Sequence, residues 1–253
     1  MTDIQVEPNL DALVRAATEQ IAGIAESAIA ANGRFTIALS GGNTPQPVYR
    51  LLATDEFSRR IDWSRVQVFW GDERCVPPND EESNYRMAKE ALLDHVPLPP
   101  ANVHRMRGEE DPAQAAAQCG RELQAVFGGD AEGGAPPAGF DLILLGMGDN
   151  GHTASLFPGK TAMHEEKRWV VAEYIEAVSM WRITFTPVLI NAAATVTFLV
   201  AGTQKAEVLH QVLEGPYQPD VLPSQIVKPV HGQLVWLLDQ AAASRLTQAA
   251  PGR

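Results

Sequence analysis

Residues 34–45 read Arg34-Phe35-Thr36-Ile37-Ala38-Leu39-Ser40-Gly41-Gly42-Asn43-Thr44-Pro45. An apolar run, two glycines, then Thr44 before Pro45 spell a buried strand turning into a helix. Thr44 stands in the N-cap position, and the helix is expected to run to about Ala53. The same pattern recurs on the C-terminal side. Val66–Trp70 is a second strand, and Ser83 is placed to cap a helix through about His95. Val103–Met106 is a short strand, and Pro112–Phe127 an Ala-rich helix with proline in its first turn. Phe140–Leu145 is apolar throughout, as in a strand buried on both faces. Strands follow at Trp169–Ala172, Trp181–Thr186, Ala194–Val200 and Leu234–Leu238, with a short helix opened by Pro187 and another over Gln204–Glu214. The last strand leads into an Ala-rich tail helix. This alternation predicts an α/β fold with a mostly parallel sheet covered on both faces.

The composition suits such a core. Of 253 residues 45% are apolar and 20% charged, enough to exclude disorder over most of the chain. A net charge of −11 excludes a non-specific nucleic-acid binder but leaves room for an anionic small molecule held by a few cations. Two cysteines, Cys75 and Cys119, make no disulfide framework and predict a reduced, cytoplasmic chain. The acidic start, Met1–Glu7, lacks the apolar centre of a signal peptide, and the longest apolar runs are too short to span a bilayer. No nucleic-acid or membrane partner is expected. Residues 128–139, rich in Gly and Pro, are compatible with a domain boundary or a surface loop. The unbroken strand–helix rhythm on either side favours a single domain over 1–253, with 128–139 as a mobile surface loop.

Chemistry concentrates in the loops after strands. Ser40, Gly41, Gly42 and Thr44 place backbone N–H groups and a helix start where an anion would sit, although the spacing equally suits a plain tight turn. Gly71-Asp72-Glu73-Arg74 follows Trp70, and charged residues there face the crevice where open α/β sheets bind ligands. Arg74 offers a donor fork suited to phosphate or a developing oxyanion; the alternative is a solvated ion-pair cluster. Gly146-Met147-Gly148-Asp149-Asn150-Gly151-His152 bends sharply, and His152 just beyond it is well placed to act as a base. Ser155 lies near in sequence, but the nucleophile elbow of serine hydrolases is absent. Lys205 in a first helical turn opposes the helix dipole unless an anion is bound. Arg182 lies on the polar face of its strand.

Together these motifs resemble the 6-phosphogluconolactonases. The resemblance rests on Ser40-Gly41-Gly42-Asn43-Thr44-Pro45, Gly71-Asp72-Glu73-Arg74, Gly148–Pro158 with its Gly151-His152-Thr153-Ala154-Ser155-Leu156-Phe157-Pro158 run, and Gly202-Thr203-Gln204-Lys205-Ala206. It covers about residues 10–245. It implies a three-layer α/β/α, Rossmann-like domain that hydrolyses 6-phospho-D-glucono-1,5-lactone to 6-phospho-D-gluconate in the oxidative pentose phosphate pathway. It also implies His152 as the base, with Asp72 and Arg74 beside it. Ser40, Gly41, Gly42, Thr44, Arg74 and Lys205 would hold the substrate and its phosphate, with no metal and no organic cofactor; Arg182 is added to that set from its own place on the polar face of its strand. A monomer is expected, an oligomer being compatible with the sequence. The related glucosamine-6-phosphate isomerase/deaminases carry Asp where this chain has Asn150, and a different run after the histidine, which weakens that alternative. A sugar-phosphate-sensing effector domain would need a DNA-binding segment, and no basic N-terminal helix pair is visible.

Overall fold

The structure, a computed structural model, describes residues 2–247. Its strands are β1 (Thr2–Glu7), β2 (Phe35–Leu39), β3 (Val66–Trp70), β4 (Asp72–Arg74), β5 (Leu142–Leu145), β6 (Val170–Ile175), β7 (Met180–Phe185), β8 (Thr195–Val200) and β9 (Gln233–Asp239). The helices are α1 (Leu10–Asn32), α2 (Pro45–Leu52), α3 (Asp55–Ser58), α4 (Asn84–Ala91), α5 (Pro112–Phe127), α6 (Pro187–Ile190) and α7 (Ala206–Glu214). Six strands form one sheet in the order β1-β9-β8-β5-β2-β3, with every pairing parallel.

Alternate residues of the central strand β5 feed opposite faces. Leu142 and Leu144 join one core with Leu13 and Ile21 of α1 and Val48 of α2. Ile143 and Leu145 join the other with Leu123 of α5, Leu209 of α7 and Trp236. A strand that is apolar at every position therefore has helices above and below it, which makes three layers. Full burial of each such side chain is worth about 1.5–3 kcal/mol.

The long helix α1 precedes the first motif of the chain. Asn9 caps it by accepting from the Ala12 N–H, and Gly33 ends it in the left-handed region at φ 73°. Its buried residues Leu13, Ala17, Ile21, Ala25 and Ala28 recur on one face. The acidic start, read only as lacking a signal peptide, is the edge strand β1, paired with β9.

A second, antiparallel sheet of three strands, ordered β4-β7-β6, stands beside the first. The charged run Asp72–Arg74 is thus a strand rather than a loop. Val103–Met106 is reduced to one bridge, Val68 to Val103. The helix from Ser83 stops at Ala91 and continues as a 3₁₀ turn, Leu93–His95. After β9 only a short turn, Ala242–Arg245, follows, and the end of the expected tail helix lies outside the described residues. Segment 128–139 lies against the body as a loop. Gly134 N–H donates to the Lys167 carbonyl, and Ala131 C=O accepts from the Trp169 N–H. No helix among the described residues is long and apolar enough to cross a membrane.

Candidate active site

Four neighbouring strands, β8, β5, β2 and β3, end on the same edge of the sheet, and each releases one motif loop there. In that order they carry Lys205, His152, the glycine pair and Asp72. The chain reverses direction across the sheet between β2 and β5, the kind of switch point where open α/β sheets leave a crevice. A cleft of about 320 Å³ opens at this point, lined by Ser40, Gly41, Gly42, Asp72, Arg74, His152 and Arg182 among others. A second cleft, of about 310 Å³, shares Gly41, Gly42, Gly146 and Met147 with it and adds Thr44 and Lys205.

His152 is held on two sides. Its ring stacks on Phe157, with centroids 4.1 Å apart and planes 12° from parallel. Asn150 Oδ1 accepts from the His152 backbone N–H at 3.2 Å and lies 2.6 Å from Nδ1. An oxygen that already accepts from the backbone also takes the ring proton, so Nδ1 carries it and Nε2 keeps a lone pair. Burial pushes the imidazole pKa down to about 4; Asp72 pulls upward, while Lys205 and Arg182 push further down. The ring is therefore neutral, and able to accept a proton, throughout the neutral range. An NMR titration should find the His152 ring protons shifting near pH 4. Phe157→Ala exposes the ring and should move that midpoint up toward the ordinary histidine value of about 6.5. A midpoint in the parent already at the ordinary value would refute the burial argument.

The structure separates Asp72 from Glu73. Asp72 faces the cleft and is buried, with Ser155 Oγ donating to one carboxylate oxygen at 2.7 Å and Asn84 Nδ2 reaching the other at 3.3 Å. Glu73 points away. Its carboxylate accepts from the N–H groups of Arg74, Asn84 and Tyr85, each at 2.8 Å, and from Ser83 Oγ at 3.0 Å. It fastens the start of α4 to β4, while Ser83 caps the helix by accepting from the Arg86 N–H as expected. Across the second sheet Arg74 lies directly opposite Arg182.

The glycines differ in what they require. Gly42 sits at φ +97° with open space where a side chain would start, so its constraint is conformational. A Cβ on Gly41 would fall 1.8 Å from Asn84 Oδ1, so its constraint is close approach. Thr44 departs from its expected role: its backbone is already helical, and its side chain makes no cap hydrogen bond. Lys205 closes a 3₁₀ turn, Thr203–Lys205, immediately before α7, and its amine is paired with Asp149. The cleft thus brings together Ser40, Gly41, Gly42, Asp72, Arg74, His152 and Arg182, and sets Thr44 and Lys205 next door. Asn84, Ser155, Asn150 and Phe157 are the partners that the sequence reading left without a role in the site.

This arrangement is that of a known family. The profile described as glucosamine-6-phosphate isomerases/6-phosphogluconolactonase matches residues 8–236, and the chain belongs to that family. It is 45% identical over 220 residues to the 6-phosphogluconolactonase of Synechocystis sp., covering 87% of this chain and 88% of that one. It is 40% identical over 245 residues to the 6-phosphogluconolactonase of Nostoc sp., covering 96% and 98%. Among solved structures, 6-phosphogluconolactonase from Trypanosoma cruzi superposes with a TM-score of 0.85 at 30% identity, covering 98% of this chain and 97% of that one. A monomeric glucosamine-6-phosphate deaminase shares the fold, with a TM-score of 0.80 at 19% identity, covering 96% and 99%.

Proposed function

We propose that this chain hydrolyses 6-phospho-D-glucono-1,5-lactone to 6-phospho-D-gluconate, the lactone-opening step of the oxidative pentose phosphate pathway. The observation that carries the reading is His152, which lines a cleft with Arg74 and Arg182 and whose Nδ1 is engaged by Asn150, leaving Nε2 as the free nitrogen. A δ-lactone is an activated ester and needs no protein nucleophile. Nε2 takes a proton from a water poised over the lactone carbonyl. The same proton returns to the ring oxygen as the C1–O bond breaks, so the base is restored each turnover. Asp72, fixed by Ser155 and Asn84, orients the attacking water or a substrate hydroxyl. Nothing in this scheme calls for a metal or an organic cofactor.

The phosphate belongs to the second cleft in this reading, against the backbone of residues 41–44 and beside Lys205. Holding that remote group fixes the ring over the base. The reading includes a reducing, cytoplasmic setting, in keeping with Cys75 and Cys119, which are both free thiols. Asn150 separates it from ring-opening deaminase chemistry, since an amide cannot exchange a proton at neutral pH.

The direct test is a lactone-hydrolysis assay corrected for spontaneous opening, run beside an ammonia-release assay on glucosamine 6-phosphate. Activity in the second alone would overturn the reading. Within the first, Lys205→Met should raise KM for the phosphorylated lactone by about 10–100-fold, since hydrogen bonds to charged groups are worth about 1.5–3 kcal/mol. KM for glucono-1,5-lactone should stay as it was. Equal effects on both substrates would remove Lys205 from the phosphate.

A further inference from the structure

Arg182 lies in the central strand of the antiparallel sheet, with Arg74 opposite it on β4 and Glu173 opposite it on β6. An acid directly across from an arginine normally pairs with it. Glu173 is instead occupied elsewhere, accepting from the N–H and hydroxyl of Thr161, both at 2.8 Å, and from the Ala162 N–H at 2.9 Å. Asp72 favours the Arg182 cation through its charge but makes its hydrogen bonds to Ser155 and Asn84. Among the described residues the Arg182 guanidinium has no hydrogen bond and no ion pair, and its Nε is buried without a partner. Arg74 gives one Nη to the Glu82 carbonyl, but its Nε is equally unpartnered.

Two like charges across an antiparallel pair destabilise it, and a partly buried donor fork left unfilled is costly. An anion received from the cleft removes both defects. Arg182 lines the same cleft as His152, and its charge opposes protonation of that ring. The unfilled fork therefore belongs to a residue that shares the cleft of the base.

We infer that Arg182 is a catalytic residue, donating to the oxygen that becomes negative when water adds to the lactone carbonyl, and then to the carboxylate of the product. This rests on the lactone-hydrolysis reading. As the water oxygen bonds to C1, its proton passes to His152 Nε2 and the carbonyl π pair moves onto the carbonyl oxygen, beside Arg182. The oxyanion then collapses, the C1–ring-oxygen bond breaks, and the ring oxygen takes the proton from His152 to become the C5 hydroxyl. The new carboxylic acid releases its proton to solvent. The reacting end of the substrate is uncharged and that of the product is an anion. The Arg182 contact thus strengthens along the reaction, which is what lowers a barrier.

The test uses Arg182→Gln and Arg182→Lys with 6-phospho-glucono-1,5-lactone and glucono-1,5-lactone, and with 6-phosphogluconate and inorganic phosphate as inhibitors. Loss of an oxyanion donor lowers kcat by about 10²–10³-fold, so Arg182→Gln should do this with both lactones while KM stays nearly unchanged. Inhibition by 6-phosphogluconate should weaken, and inhibition by inorganic phosphate should persist. Arg182→Lys keeps the charge but loses the fork, and should recover part of kcat. It carries the test by itself if the Gln variant does not fold, a parent-like kcat then counting against the inference. A rise in KM confined to the phosphorylated lactone, with kcat intact, would move Arg182 to the phosphate and overturn the assignment. A parent protein that opens neither lactone overturns the functional reading and this assignment with it. A parent that does so, with Arg182→Gln equally fast and equally inhibited by product, overturns the assignment alone.

Discussion

His152→Gln should lower kcat for the phosphorylated lactone by about 10²–10⁴-fold, the usual contribution of a positioned general base, with the fold and substrate affinity retained. Glutamine can hydrogen-bond a water but cannot take its proton. The parent imidazole is neutral at pH 7 because burial holds its pKa near 4, so nearly every molecule carries the free lone pair. The measurement is initial-rate hydrolysis above the spontaneous background, with circular dichroism to confirm folding. Parent-like kcat in a folded His152→Gln protein would mean that the proton goes elsewhere.

Gly148→Ala should be nearly as damaging without touching any ionisable group. A Cβ at this position would lie 2.0 Å from His152 Cε1 and 2.1 Å from Nδ1. No methyl group fits at that distance, so the ring must leave its place between Asn150 and Phe157. The backbone at Gly148 is not in the left-handed region, so the chain itself accepts alanine and only the imidazole objects. We expect kcat to fall by about 10²-fold or more, since small displacements of a reacting group carry losses of that order. Competition by inorganic phosphate should be unaffected. Gly23→Ala, on α1 with nothing within 4 Å of the added carbon, is the matched control and should leave activity unchanged. Full activity in Gly148→Ala would show that the ring has room that these contacts deny it.

The parts of the fold that could be read from the sequence are those whose signal is local. β2, β3, β5, β8 and β9 are dense apolar runs, and the glycine turns after three of them mark where chemistry sits. What escaped was decided by distant partners. β1 is polar and largely exposed, and it exists as a strand because β9 pairs with it. Asp72-Glu73-Arg74 carries no strand signal at all and becomes one through β7, more than a hundred residues on. At the site, His152, Arg74 and the glycine pair could be found because their residue types and loop positions suggest their chemistry. Choosing between Asp72 and Glu73 required the direction of each side chain, which depends on where α4 lands. Asn84 could not be found in the same way, because it has no chemistry of its own. Its value is that it touches Asp72 while filling the space over Gly41.

The pairing of β4 with β7 also bears on how this molecule acquires its activity. One wall of the cleft comes from residues 72–74 and is aligned only when residues 182–184 have been made and docked against it. The loops after β2 and β5 can take shape earlier, yet they enclose nothing until that long-range closure is complete. Pairings of such large sequence separation are the slow events of folding. Completion of the cleft is thus a late event of biosynthesis: a ribosome-bound chain that has emerged through Pro158 carries the histidine and the glycine loop but lacks β7, against which residues 72–74 align. The wall formed by residues 72–74 therefore takes its place only after β7 has been made and paired with β4.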